Sequence, residues 1–160
     1  MNKAVFLDRD GVINKEKKDY VKNVSELEIF PEIESIKLLK DLGFLVIVIT
    51  NQSAINRGLT TTQNVDLIHD YIQNFLKTKG TQIDAFFYCP HRPDEYCDCR
   101  KPKPGLILKA SKKMNIDLTS SWMIGDNEID IQAGKIASCK TILLSSSYTL
   151  KDSIDQIVAY

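Results

Sequence analysis

The chain has 160 residues, 43% of them hydrophobic, and its 21 Lys and Arg residues balance its 21 Asp and Glu residues. This length and composition predict one globular domain over residues 1–160 that needs no disulfide staples. The neutral charge balance argues against a nucleic-acid partner, and no apolar run is long enough to span a membrane. Because the N-terminus has no secretory signal pattern, we expect a cytoplasmic protein, and we expect it to be a monomer.

Apolar, β-branched segments alternate with helical patterns along the chain. The expected strands cover residues 3–7, 44–50, 85–89, 122–124 and 141–144. The expected helices cover residues 32–42, 106–114, 129–136 and 150–158, and a further helix is capped by a hydroxyl within residues 60–62 and extends to about residue 77. This alternation predicts βαβ units and an α/β, Rossmann-like parallel sheet with helices on both faces. No insert is long enough to form a separate cap domain.

Carboxylates follow two of these strands. Asp8 and Asp10 flank one residue and precede Gly11, and Asp126 follows the fourth strand. Two carboxylates this close repel each other unless a cation lies between them, and Gly11 permits a tight backbone path near a ligand. Since the carboxyl ends of parallel strands meet at one edge, the pattern predicts a site for Mg²⁺, with a surface turn as the alternative.

Anion-binding groups occur at two further places. Thr50 and Asn51 end the second strand, where a hydroxyl and backbone N–H groups could hold phosphate oxygens or simply form a turn. Arg100 and Lys101 precede an expected helix, an arrangement that suits an anion but is also found in solvated basic loops.

Three cysteines and one histidine lie in a loop over residues 89–99, namely Cys89, His91, Cys97 and Cys99. Three thiolates and an imidazole suit tetrahedral Zn²⁺, and four protein ligands make such a zinc structural. The alternatives are buried free cysteines or a reactive thiol pair. The remaining histidine, His69, lies in the middle of an expected helix, and we expect it to be surface-exposed or half-buried.

Together, the order Asp-x-Asp, Thr, Lys, Asp at strand ends resembles the haloacid dehalogenase superfamily of phosphotransferases, across essentially the whole chain. The resemblance implies that Asp8 is the nucleophile, ionised at the first step, and that Asp10 is the general acid and base, protonated at that step. It implies phosphate binding by Thr50 and charge neutralisation by Lys101. The Mg²⁺ ligands would be an Asp8 oxygen, the Asp10 main-chain carbonyl and Asp126, and Asp130 would complete the Gly-Asp-x-x-x-Asp motif.

A narrower resemblance joins the segments 6–11, 50–58 and 89–102 to the D-glycero-D-manno-heptose 1,7-bisphosphate phosphatases. It implies a sugar-phosphate substrate, contacted by Asn51, Gln52, Ser53, Arg100 and part of the segment 15–20, where Tyr20 could pack against the sugar. Asn127, a further candidate for substrate binding, stands where those enzymes commonly carry a lysine.

The resulting interpretation is removal of the 7-phosphate of the heptose bisphosphate, for precursors of lipopolysaccharide or related surface glycans. Hydrolysis of histidinol phosphate is the first alternative, because Ala54 departs from the heptose pattern and the interval between His91 and Cys97 is closer to the histidinol type. A catalytically dead, zinc-stapled interaction module is the second alternative. The charge balance argues against a third, a DNA 3′-phosphatase.

Overall fold

The computed structural model describes all residues from 1 to 160, and its centre is a sheet of five parallel strands. The strands are β1 (Ala4–Leu7), β2 (Leu45–Asn51), β3 (Ala85–Cys89), β4 (Trp122–Gly125) and β5 (Lys140–Leu143). Their spatial order is β3-β2-β1-β4-β5. The expected parallel α/β fold is confirmed, and each strand lies within one residue of its predicted bounds.

Both faces of the sheet are buried, which explains why its strands are apolar on both sides. Val5 and Leu7 of β1 belong to a cluster of 22 buried hydrophobic residues, whereas Ala4 and Phe6 belong to a second cluster of 14. Neighbouring residues of a strand point to opposite faces, so the two clusters form the two layers of the core.

Helices cover both faces of the sheet. They are α1 (Ile36–Asp41), α2 (Thr62–Thr78), α3 (Gly105–Met114), α4 (Glu128–Ile136) and α5 (Leu150–Ala159). The first helix is shorter than predicted, because Pro31–Ser35 forms a 3₁₀ turn before α1 begins and Leu42 lies beyond its end. No separate cap domain covers the carboxyl edge of the sheet, and no helix is long and apolar enough to cross a membrane.

Candidate active site and metal centre

The strand order reverses at β1, which lies between β2 and β4 at the centre of the sheet. In open α/β sheets such a reversal creates a crevice at the carboxyl ends of the strands. Here the crevice is a cavity of about 550 Å³ with a mainly polar lining. Asp8, Asn51 and Asp126, from the ends of β1, β2 and β4, all line it, as the sequence predicted for that edge.

Lys101 is a buried cation held between two carboxylates at this edge. Its Nζ atom lies 2.8 Å from Asp8 Oδ1 and 2.7 Å from Asp130 Oδ1, and it also donates to the Ile49 carbonyl at 2.8 Å. Burial alone would lower the pKa of Lys101, but Asp8 and Asp130 outweigh it and the pKa lies above its ordinary value. Lys101 is therefore a fixed ammonium group directly beside Asp8.

Three carboxylates, those of Asp8, Asp126 and Asp130, have oxygens within 4.8 Å of one another. Burial raises the pKa of Asp8 to about 6, with Lys101 opposing the shift. At the cavity mouth, partial burial and then the Asp8 charge raise the pKa of Asp126 to about 6. A divalent cation stabilises the ionised forms of carboxylates that are clustered in this way. A donor set made only of oxygens fits Mg²⁺.

Gly11 makes room for one of these groups, the Asp126 carboxylate. It has a φ angle of +84°, and a Cβ atom built on it would overlap Asp126 Oδ2 and lie 2.7 Å from Asp126 Cγ. The absence of a side chain at Gly11 thus lets the Asp126 carboxylate lie against the turn that follows Asp8.

The Asp10 carboxylate is held by four hydrogen-bond contacts. Arg9 Nη2 donates to Oδ1 at 3.0 Å and to Oδ2 at 3.3 Å, Asn14 Nδ2 donates to Oδ1 at 3.0 Å, and Gln52 Nε2 donates to Oδ2 at 2.9 Å. Burial opposes these contacts, but Arg9, Asn14 and Gln52 outweigh it and keep the pKa of Asp10 below its ordinary value. The free protein therefore holds Asp10 ionised and gives Asp8 the higher pKa of the two, so the protonated Asp10 expected from the sequence for the first step is not favoured before substrate binds.

The sequence reasoning missed Arg9 and misplaced His69. Arg9 is completely buried, and its Nη1 lies 3.2 Å from His69 Nε2. His69 is not surface-exposed or half-buried as predicted, because α2 turns it toward the sheet, where only 5% of the residue is exposed. Burial and then the Arg9 charge lower the pKa of His69 to about 3, so the imidazole is neutral.

The side chains at the end of β2 and just after it differ in their hydrogen-bond partners and in whether they line the cavity. Asn51 accepts from Lys101 N at 3.0 Å and donates to Lys101 O at 3.2 Å, so its amide is bonded to the main chain on both sides of Lys101. Thr50 is 1% exposed, and its hydroxyl accepts from Gln52 Nε2 at 3.0 Å. Gln52 lines the cavity, but neither Thr50 nor Ser53 does. Ser53 is buried and accepts from Arg57.

The other three candidate substrate ligands, Tyr20, Arg100 and Asn127, line the cavity. Arg100 donates to the main-chain carbonyl of His91 at 3.3 Å, which ties it to the cysteine-rich loop. Asn127 caps α4 by accepting from the Ile129 amide at 3.1 Å. These three side chains and the acidic cluster therefore face the same cavity.

The four candidate zinc ligands, Cys89, His91, Cys97 and Cys99, converge on one point, with their ligand atoms within 4.8 Å of one another. The Sγ atom of Cys89 lies 2.9 Å from that of Cys99 and 3.6 Å from that of Cys97, far beyond the disulfide length of about 2.05 Å. His91 Nδ1 lies 3.3 Å from two of the sulfurs. Three free thiols and one imidazole around a common centre fit a tetrahedral zinc ion.

Comparison with known proteins identifies the family. A family model described as HAD-hydrolase-like matches residues 98–159. A curated protein of Helicobacter pylori (strain J99), named D-glycero-beta-D-manno-heptose-1,7-bisphosphate 7-phosphatase, is 45% identical over 152 residues, which are 94% of this chain and 87% of the relative. This chain belongs to the haloacid dehalogenase-like phosphatases.

Other members of this phosphatase family agree with the assignment. A protein of Photorhabdus laumondii, named as the 7-phosphatase of the alpha anomer, is 44% identical over 84% of this chain and 78% of its own length. A crystal structure of the D,D-heptose 1,7-bisphosphate phosphatase from B. bronchiseptica, complexed with magnesium and phosphate, superposes with a TM-score of 0.91 and 32% identity. It covers 98% of both chains, so the match includes the active-site edge as well as the core.

Proposed function

We propose that this phosphatase hydrolyses the 7-phosphate of D-glycero-D-manno-heptose 1,7-bisphosphate. The observation that carries the proposal is the pairing of Lys101 Nζ with Asp8 at 2.8 Å on the floor of a polar cavity. The substrate is supported by the names of relatives that are 45% and 44% identical to this chain. The same relatives favour the heptose substrate over histidinol phosphate.

Asp8 is the proposed nucleophile. In its ionised form it attacks phosphorus and forms an aspartyl-phosphate, which divides one difficult step into two easier ones. Lys101 lies against the attacking carboxylate, where its charge offsets the negative charge that collects on the phosphoryl oxygens. Asp8, Asp126 and the Asp10 main-chain carbonyl would hold Mg²⁺, which would supply further positive charge at the phosphoryl group.

Asp10 is the proposed general acid and base. It protonates the leaving alcohol oxygen and then takes a proton from the water that hydrolyses the aspartyl-phosphate. Because the free protein holds Asp10 ionised, the carboxyl has to gain its proton when the substrate binds. A phosphate dianion arriving beside Asp10 raises the pKa of that carboxyl, since a like charge disfavours ionisation.

Substrate contacts are proposed for Tyr20, Arg100 and Asn127, which line the cavity. The expectation from the sequence is that Thr50 binds phosphate through its hydroxyl and that Asn51, Gln52 and Ser53 bind substrate. The side chains of Thr50, Asn51 and Gln52 are hydrogen-bonded to one another, to Asp10 and to the main chain of Lys101. We therefore assign any direct contact from the segment 50–53, including Ser53, to its main-chain N–H groups, and give the side chains the task of fixing the catalytic carboxylate and lysine.

Residues 1–160 form one catalytic unit in this proposal, and the loop 89–99 is its structural zinc site. Cys89, His91, Cys97 and Cys99 would hold the zinc, which would cross-link the loop that leads into Arg100 and Lys101. Cysteines outside disulfides are typical of a reducing compartment, so we place the protein in the cytoplasm. We expect it to act there as a monomer that supplies surface-glycan precursors such as those of lipopolysaccharide.

Phosphate release with Mg²⁺ from both anomers of the heptose bisphosphate and from histidinol phosphate tests the proposal. We expect the highest kcat/KM with one heptose anomer, and one equivalent of phosphate from each molecule. The variant Asp8→Asn serves as the control and is expected to lose turnover while keeping its thermal unfolding temperature. A higher kcat/KM with histidinol phosphate would refute the substrate, and normal activity of Asp8→Asn would refute the mechanism.

A further inference from the structure

A buried arginine connects the catalytic loop to the middle of helix α2. Arg9 lies between Asp8 and Asp10 in sequence, and none of its surface is exposed. Its guanidinium has two side-chain partners, since Nη2 donates to the Asp10 carboxylate and Nη1 lies 3.2 Å from His69 Nε2. A buried cation is stable only when its N–H groups are matched by acceptors in good geometry.

His69 is well suited to be a fixed acceptor for Arg9. Its ring stacks on Phe86 with a centroid distance of 4.5 Å and an angle of 14°, and it meets the edge of Tyr88 at 5.8 Å. The imidazole is neutral, so Nε2 has a lone pair to accept the Arg9 hydrogen when Nδ1 carries the proton. Because aromatic contacts on β3 hold this ring, the direction of the Arg9 guanidinium is set by the core and not by solvent.

We propose that His69 is a positioning residue for catalysis, which acts through Arg9 to orient the carboxyl group of Asp10. The inference rests on the proposed function, in which Asp10 protonates the leaving oxygen. As the bond from Asp8 to phosphorus forms, the ester P–O bond breaks, its electron pair moves to the sugar oxygen, and that oxygen takes the proton of Asp10. The ionised Asp10 that remains faces the charge of Arg9, 3.0 Å away.

The buried Nε of Arg9 already has no hydrogen-bond partner, and loss of the His69 acceptor would leave Nη1 without one as well. The guanidinium then turns toward another acceptor, and the Asp10 carboxylate loses part of its orientation. Asn14 and Gln52 still hold Asp10, so the active site stays assembled. The damage is therefore restricted to proton transfer, and substrates that do not need a proton on the leaving group are spared.

The test compares two substituents at His69 and two leaving groups. His69→Phe keeps a ring that can stack on Phe86 but removes the acceptor, whereas His69→Gln places an amide oxygen near the position of Nε2. The leaving groups are the sugar oxygen of the heptose bisphosphate and p-nitrophenolate, which departs without protonation. We use kcat/KM because it reports only the steps up to loss of the leaving group, and Tyr88→Phe, which keeps its ring beside His69, is the matched control.

For His69→Phe we expect kcat/KM to fall about 30-fold or more with the sugar phosphate and less than about 3-fold with p-nitrophenyl phosphate, because misorientation forfeits part of the roughly 10²- to 10⁴-fold that general acid catalysis contributes. His69→Gln restores most of the loss, and Tyr88→Phe leaves the ratio of the two substrates unchanged. Thermal unfolding confirms that each variant is folded, and His69→Leu replaces His69→Phe in the same comparison if the latter does not fold.

An equal loss on both substrates, or no recovery in a folded His69→Gln variant, would overturn the role of His69. Failure of the proposed function gives a different result. In that case the wild-type protein hydrolyses other alkyl phosphates but not the heptose bisphosphate, and the ratio measured with such an alkyl phosphate still decides whether His69 acts through Asp10.

Discussion

Replacement of Gly11 by alanine tests the metal site through a single methyl group. The added Cβ atom would lie 2.7 Å from Asp126 Cγ, whereas ordinary van der Waals contact begins at 3.4 Å, so the Asp126 carboxylate has to move by about 0.7 Å or more. Metal–ligand distances in proteins tolerate about 0.2 Å. We therefore expect the Mg²⁺ concentration for half-maximal activity to rise about tenfold or more.

The same substitution also has a backbone cost. The φ angle of Gly11 is +84°, and an L-residue in this region loses about 1–2 kcal/mol of stability. For a chain of this size, that loss lowers the unfolding temperature by roughly 2–8 °C. Gly43 offers a matched control, since it has a φ angle of +80° and no atom lies within 4 Å of the position that a Cβ atom would occupy there.

The assay is a Mg²⁺ titration of initial rates, with thermal unfolding measured on the same samples. Gly11→Ala is expected to change both properties, whereas Gly43→Ala is expected to lower the unfolding temperature and leave the Mg²⁺ titration unchanged. If Gly11→Ala binds Mg²⁺ as the wild type does, Asp126 is not a metal ligand and the proposed Mg²⁺ set has to be revised.

Four further predictions concern charge and zinc. The pKa values of Asp8 and Asp126 are raised to about 6, so protons compete with Mg²⁺ for these carboxylates below that pH. The half-saturating Mg²⁺ concentration should therefore rise about tenfold between pH 6 and pH 5. A half-saturating concentration that does not change with pH would contradict this. Because these pKa values are higher in the folded than in the unfolded chain, the folded, metal-free protein binds protons more tightly. The two groups should therefore raise the free energy of unfolding as the pH falls from 6 toward 4, which denaturant unfolding at each pH measures. Lys101→Met should lower kcat by about 10²-fold or more, since it removes the charge beside Asp8, and single-turnover formation of phospho-enzyme checks this against slow product release. Cys97→Ser should lower the zinc content measured by atomic absorption, the unfolding temperature and, in part, kcat; full activity in a verified zinc-free sample would refute the link between zinc and Lys101.

The strands and the residues at their carboxyl ends are predictable from the sequence because apolar periodicity and strand order decide them. The stretch from Val46 to Ile49 is fully buried, as its continuous apolar pattern indicates, and it delivers the residues after it to the site edge. The first helix was predicted too long, because helical spacing alone does not distinguish a 3₁₀ turn from an α-helix.

His69 shows where sequence reasoning failed although a signal was present. It lies one residue after Ile68 and three before Ile72, on the face of α2 that these residues bury. A polar residue on an apolar helix face needs a buried partner, and Arg9, between two carboxylates at the end of a buried strand, needs one too. Nothing in the sequence pairs two residues 60 positions apart, because only the packing of α2 on the sheet brings them together.

The pKa values of Asp8 and Asp10 were beyond sequence reasoning for a similar reason. Their spacing shows that they interact, but not which of them is the more easily ionised. The difference comes from neighbours supplied by the fold, since Asp10 receives hydrogen bonds from Arg9, Asn14 and Gln52, whereas burial dominates at Asp8. Reaction therefore requires the bound substrate to raise the pKa of Asp10, whereas Asp8, with a pKa of about 6, is already mainly ionised at neutral pH.

Lys101 is restrained from two directions, and this explains why loss of zinc should weaken catalysis without abolishing it. A zinc ion held by the loop 89–99 would fix the chain up to Cys99, two residues before Lys101. Asn51 bonds to the main-chain N–H and carbonyl of Lys101 itself, at 3.0 and 3.2 Å, from the end of β2, which contributes no proposed zinc ligand. Without zinc, the segment before Lys101 gains freedom, but the hydrogen bonds from Asn51 and the ion pair with Asp8 keep the ammonium group within reach of the phosphoryl oxygens.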